Sequence, residues 1–241
     1  MKRLFLFLTV SLFLIMAALP FRMKSFNEYG HGHAAVEEEN YFACLDELKK
    51  LKAENAEEEA IQRCMLKVAR ALAVLRQYRA ADRMYRDVWQ ARANSNAAYD
   101  ETFVAAVIGL AGLRRDMGNM DSSTACYLVA LEYDKKHLQA SDMRVTRDKN
   151  NLAVSYLIAA KTAQKEVNRM LFLRSAAGLF NEVISEHQAR SPQGSLREAN
   201  ARQDLAYVFK ELHDRRGYEK ELRAARNMQQ ALASRRVCFE P

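Results

Sequence analysis

Residues that interrupt helices are scarce here: only 8 glycines and 3 prolines occur in 241 residues, and Pro20 and Pro241 lie outside any plausible folded body. A protein of many short strands needs more turn residues than this, whereas abundant Ala, Leu, Arg, Glu and Lys suit long helices. The predicted fold class is all-α, and with 49% hydrophobic residues the chain has ample material for a core. Absent motifs exclude function classes as well. No Ser or Cys nucleophile stands in a glycine-rich elbow, no His-Glu-x-x-His spacing occurs, and no glycine loop is present to cradle a phosphate. The acidic run Glu57, Glu58, Glu59 falls at a helix start, where the helix dipole accounts for it. The sequence therefore predicts no enzyme and no cofactor. His31 and His33 have no third ligand nearby, so no metal site is predicted. No nucleic-acid-binding motif accompanies the net charge of +7, and 30 acidic residues are interspersed among 37 basic ones, so no nucleic acid is expected as partner.

What is present begins with an apolar run, Leu4 to Phe21, preceded by Lys2 and Arg3 and interrupted only by Thr9, Ser11 and Pro20. Such a segment directs export. Its length lies between a signal-peptide core and a full membrane span, so cleavage and retention as an anchor both stay open. The expected organisation is a signal peptide or membrane anchor over 1–21, a linker over 22–37 containing Gly30 and Gly32, and a helical repeat domain over 38–241. That places the protein outside the cytoplasm, membrane-anchored through residues 4–21 or free in a periplasmic or extracellular space.

The repeat emerges when the chain is laid on itself. A forty-two-residue shift puts Tyr85 on Tyr127, Ala81 on Ser123, Asp100 on Asp142, Leu110 on Leu152 and Ala111 on Ala153. From Leu152 to Leu205 the spacing becomes fifty-three, and the extra eleven residues fall within AAKTAQKEVNRMLFLRS. Eleven residues are about three helical turns, so helices lengthen there without rotating their apolar stripes. Punctuation divides each unit into two helices. Asn55 with Glu58, and Ser195 with Glu198, match the capping box; Asp100 and Asp142 read as N-caps; Gly118 and Gly217 are placed at the ends of first helices. A single hairpin cannot bury both its faces, so the units must stack.

The segment GLAGLRRDMGNMDSSTACYLVALEYDKKHL, followed by NNLAVSY, resembles the tetratricopeptide repeat (TPR) in its forty-two-residue, kinesin-light-chain-like form. Ala111, Gly118, Tyr127 and Ala130 match the small, turn and aromatic places that pack one helix on the other. The first unit keeps Ala81 and Tyr85 but has Arg76 at the glycine place. The resemblance implies a right-handed α-solenoid of about four units whose first helices line a concave groove, and a scaffold that binds a protein or peptide segment there. In this form of the repeat an asparagine before the first-helix Leu often bonds peptide backbone. Asn151 matches it, whereas Gly109 and Asp204 stand at the corresponding places of units two and four. Arg147, one turn before Asn151, and Asp204 complete the expected partner-binding set, with Arg147 placed to meet an acidic group.

Arg79, Arg83 and Arg86 share one face of a second helix, a pattern repeated by Arg216, Lys220 and Arg223. The alternative to groove binding is an envelope-associated structural protein meeting an acidic partner or anionic membrane through this basic face. Cys44 and Cys64 lie ten residues either side of Glu54 in a predicted hairpin, where a disulfide and two buried thiols are both open readings. Cys126 and Cys238 pair only if the C-terminal tail folds back.

Overall fold

The computed structural model describes residues 31–93 and 99–237. Over them run nine α-helices and no strand: α1 His31–Ala53, α2 Glu58–Val74, α3 Tyr78–Ala93, α4 Glu101–Asp116, α5 Met120–His137, α6 Met143–Thr162, α7 Glu166–Arg190, α8 Leu196–Glu211 and α9 Arg215–Val237. None of these described helices is long and apolar enough to cross a membrane. The expected export segment over 1–21 lies outside the described residues, as does Cys238. Helix α1 already begins at His31, so residues 31–37, expected as linker, are helical instead. Ala34, Ala35 and the Glu37–Glu39 run are good helix formers, and Gly32 alone does not stop them.

Each helix packs on its neighbours in sequence, while α2 also meets α4 and α6 meets α8. Thus α2–α3, α4–α5, α6–α7 and α8–α9 form four stacked units, and α1 covers the open side of the first. The core lies between units as much as within them. Tyr127 of α5 packs with Ala111 of α4 and with Val145 and Leu152 of α6. Phe180 of α7 is enclosed by Ala153 and Leu157 of α6 and by Leu205 and Val208 of α8. Tyr85 joins Val68 and Leu72 of α2 to Leu110 and Leu113 of α4. Small residues at the repeated places make room: Ala81, Ala111, Ala153 and Ala176 are fully enclosed. These are the aromatic and small positions that the sequence alignment superimposed.

In units one, two and four the turn between the two helices is closed by one left-handed residue, whereas Ala163 and Lys165 in the turn of unit three have negative φ. In unit two, Gly118 (φ 79°) donates its N–H to Arg115 O at 2.9 Å, and the Asn119 N–H reaches Arg114 O at 2.8 Å. This pair of bonds satisfies carbonyls that a helix end leaves free. Arg76 (φ 58°) does the same in unit one, with Arg76 N–H to Ala73 O at 3.0 Å and Gln77 N–H to Leu72 O at 2.8 Å. In unit four the left-handed residue is His213 (φ 59°), not Gly217 as expected, with the Asp214 N–H on Phe209 O at 2.9 Å. Gly217 instead lies inside the first turn of α9, where a Cβ would stand 2.7 Å from the Phe209 ring. Asn55 is likewise no N-cap: at φ 49° it closes the C-terminus of α1, its N–H on Lys52 O and the Ala56 N–H on Leu51 O. The cap of α2 is Glu57, which makes no side-chain capping bond.

The other caps agree with the sequence. Asp100 accepts from the Phe103 N–H, Asp142 from the Arg144 N–H, and Ser195 from the Glu198 N–H. The Ser195 box is half-made, because the Glu198 carboxylate turns inward to Arg202 at 2.9 Å. The eleven extra residues of unit three divide between its helices: α6 has 20 residues against 16 in α4, and α7 has 25 against 18 in α5. Four and seven residues are each close to whole turns, so both helices keep their apolar faces aligned. At about 1.5 Å per residue this hairpin overhangs its neighbours by roughly 6–10 Å. Val167 and Leu171, on the added turns of α7, are 79% and 61% exposed because no neighbouring unit reaches them. Beneath the overhang a cleft of about 590 Å³ opens between the α4–α5 turn at Met117–Asp121 and the α6–α7 turn.

Candidate functional site

Asn151, Asp204 and Gly109 occupy one structural place on successive first helices, α6, α8 and α4. Gly109 shows what that place touches: a Cβ there would lie 2.2 Å from the Tyr85 ring, so the position borders the seam with the preceding second helix. Asn151 and Asp204 are accordingly half-buried. Neither has a hydrogen-bond or ion-pair partner among the described residues. Burial alone pushes the Asp204 carboxyl up, with no cation to oppose it. A half-desolvated carboxylate without a counter-ion carries an uncompensated cost that a cationic ligand group would relieve.

Arg147, one turn before Asn151, is not the free cation that its place in the sequence suggested. Its Nε donates to Asp148 Oδ1 at 2.7 Å and its guanidinium lies 3.4 Å from Asp134 Oδ2. Both carboxylates are fully enclosed. Tyr99 Oη donates to Asp134 Oδ1 at 3.0 Å, and Asp148 Oδ2 is left without a partner. Burial pushes Asp148 up to about 6, the Arg147 guanidinium pulls it down, and the nearby Asp134 carboxylate pushes it further up. Two acids thus share one guanidinium. Beside them Asp142 is held down at about 2 by hydrogen bonds from the Arg144 guanidinium and backbone amide. The Arg144 guanidinium also sits 4.7 Å over the Tyr99 ring.

These partners went unseen in the sequence, yet a signal was there. The places equivalent to Asp148 are Ala106 and Ala201, both buried small residues of the helix contact, so an acid in that register required explanation. A second unforeseen network joins the two helices of unit three through Lys149, which pairs with Glu182 at 2.8 Å and Glu186 at 2.6 Å. Thr146 bonds Glu186 as well, and Arg190 reaches Thr146 Oγ1 at 2.7 Å. A third fastens the last unit: Arg202 bridges Glu198 at 2.9 Å and Glu221 at 2.6 Å.

The basic stripe on α3 is only partly available. Arg86 pairs with Asp82 at 2.6 Å, and Arg114 of the next unit takes the other oxygen at 2.8 Å. Arg79 and Arg83 remain exposed and unpaired among the described residues. Cys44 and Cys64 do face each other across the α1–α2 hairpin, here as thiols, with Cys64 Sγ 3.5 Å from the Cys44 carbonyl oxygen. Cys126 is a free thiol near the Asp82–Arg114 pair, pushed up by burial. No group of three metal-ligating side chains occurs among the described residues.

No protein-family model matches the sequence, and no curated protein does. Solved structures do. A kinesin light chain of Podosopora anserina with nearly identical TPR-like repeats superimposes with a TM-score of 0.60 at 14% identity, over 83% of this chain and 95% of that one. The chain has a TPR-like repeat fold. BtubC (BKLC) of P. vanneervenii gives a TM-score of 0.56 at 15% identity, covering 85% of this TPR-like chain and 94% of its own. A Rap protein complexed with competence and sporulation factor gives 0.56 at 13% identity, over 82% of this chain and 52% of the Rap chain. Identities this low establish the TPR-like fold, while function has to be argued from the site.

Proposed function

We propose that this protein is a non-catalytic scaffold that takes a peptide or protein segment along the inner faces of its first helices. Asn151 lies at the centre, Asp204 on the next unit, and Arg147 beside them. One observation carries the reading: two polar side chains at the same structural place on successive first helices are half-withdrawn from water and have no partner within the described protein. Buried polar groups are normally hydrogen-bonded, so an unfilled pair in register marks where a ligand would complete them. Resemblance supports it, since the Rap neighbour of the same fold is complexed with competence and sporulation factor. The order of the fold supplies rigidity, because the first helices of units two and three are each held on both sides by aromatic seams.

The scaffold acts outside the cytoplasm, delivered or anchored by the apolar run Leu4 to Phe21. In that oxidising setting Cys44 and Cys64, already opposed across the α1–α2 hairpin, join as a disulfide. The deciding experiment is affinity capture from the native source with the full chain and with Asn151→Ala. The substitution should weaken capture at least severalfold while leaving thermal stability nearly unchanged, since an exposed or half-exposed change without partners shifts it by about half a kcal/mol or less. Capture that survives Asn151→Ala but is abolished by Arg79→Glu with Arg83→Glu would reject the groove. It would favour the basic face of α3, where two arginines stand unpaired.

A further inference from the structure

On the reading that the first-helix face is the working surface, we propose that its occupant is a basic peptide segment, one whose Lys or Arg side chain pairs with Asp204 while its backbone is held at Asn151. The charge of the whole chain points the other way, since a protein of net charge +7 would be expected to seek acidic partners. The local arrangement reverses that expectation. Arg147, the cation that would have gripped an acidic residue, is already claimed by two fully enclosed carboxylates, Asp148 and Asp134. Lys149, two residues on, is claimed by Glu182 and Glu186. Arg202, near Asp204 in sequence and on the same helix, is claimed by Glu198 and Glu221. Each of these three cations therefore faces two acids, and none of the three is left for a ligand carboxylate. Asp204 is the converse case: an acid with no cation, half-buried, its carboxyl pushed up by desolvation alone.

The spacing fixes where the basic residue should fall. Adjacent packed helices lie about 10 Å apart, and an extended chain advances about 3.3 Å per residue. Asn151 and Asp204 hold the same place on neighbouring first helices, so the basic side chain lies about three residues from the peptide unit bonded at Asn151. A carboxylate in a half-dry seam forms a stronger charge-assisted bond than one in open water, which makes this the position of greatest charge preference along the segment.

The test uses the full-length chain and three pools of synthetic twelve-residue peptides with blocked termini, built on one neutral Ala, Ser, Gly and Leu background. One pool carries a single Lys or Arg at each position in turn, one a single Asp or Glu, and one no charge. The basic pool should bind most tightly. Asp204→Asn should reduce that preference about fivefold or more while retaining binding of the neutral pool, and Asp204→Lys should transfer the preference to the acidic pool. Asn151→Ala should weaken all three pools alike. An acidic preference in the unmodified protein, or a basic preference unchanged in Asp204→Asn, overturns the proposal while leaving groove binding in place. Loss of nothing in Asn151→Ala, or no binding by any pool, removes the groove reading itself and the basic occupant with it. Circular dichroism and melting temperature of each variant, expected to match the unmodified protein, confirm that the readout is binding and not folding.

Discussion

Replacing Arg76 by glycine should make the protein more stable, although it deletes a long charged side chain. Arg76 holds φ 58° at the turn between α2 and α3. A non-glycine residue in the left-handed region costs about 1–2 kcal/mol. Glycine removes that cost but surrenders about 0.5–1 kcal/mol through the freer unfolded chain. The Arg76 side chain is exposed and has no hydrogen-bond or ion-pair partner among the described residues, so nothing else is lost. The net expectation is a gain of about 0.5–1 kcal/mol. Gly118→Ala is the mirror experiment at the equivalent turn. No atom stands within 4 Å of the added Cβ, so its cost of about 1 kcal/mol is conformational alone. Urea unfolding followed by circular dichroism reads both, as opposite displacements of the midpoint at constant slope. A lower midpoint for Arg76→Gly, or an unmoved one for Gly118→Ala, would refute the assignment of these two residues to the same turn.

Acidity should act on stability with two signs. Asp148 titrates near 6 in the folded protein against an ordinary value of 3.8, so the folded state holds the proton longer than the unfolded one. Stability should therefore fall as pH rises from about 4 through about 6, and Asp148→Asn should flatten that slope in urea midpoints. Asp142 is held near 2, so its contribution is present above pH 4 and is lost as pH falls from about 4 towards 2; Asp142→Ala should remove that acid limb. A midpoint that rises steadily from pH 4 to 7 in the unmodified protein would contradict the Asp148 environment. Peptide mapping without reduction of protein from its native compartment should find Cys44 joined to Cys64, and free thiols at both would end that pairing while leaving the fold intact. Its N-terminal peptide decides between an export signal, gone from the mature chain, and an anchor still present; an intact N-terminus in a soluble cell fraction would contradict both.

Much of the fold was legible because repetition multiplies weak signals. Tyr85 on Tyr127 and Leu110 on Leu152 are unremarkable singly, but together they fix a register, and the structure places both pairs at equivalent points of successive seams. The misread residues are those whose chemistry serves two purposes. Asn55 suits a helix start and also tolerates left-handed backbone, and the structure uses the second property. Glycine usually marks a turn, whereas the smallness of Gly217 answers to the Phe209 ring; the turn itself is closed by His213, in strict register with Arg76 and Gly118. The candidate site was legible in position and illegible in charge. Asn151 and Asp204 follow from the repeat. The neutralisation of Arg147 depends on Asp134, thirteen residues earlier on another helix, and on which oxygens fall within reach, which no spacing rule provides.

An array of like units presents an extended ligand with several nearly equivalent registers, and sliding by one unit trades one set of contacts for a similar one. The overhanging hairpin of unit three ends that degeneracy. Its added turns carry Val167 and Leu171 beyond the line of the other turns, while Asn168 and Phe172 of the same turns line the cleft beside the α4–α5 turn. A long partner laid across the solenoid therefore meets a step at one unit and a level rim at the others. On the proposed groove reading, only one alignment would place a bulky group under the overhang, so an insertion that leaves the core undisturbed would give such a partner a fixed origin along the solenoid.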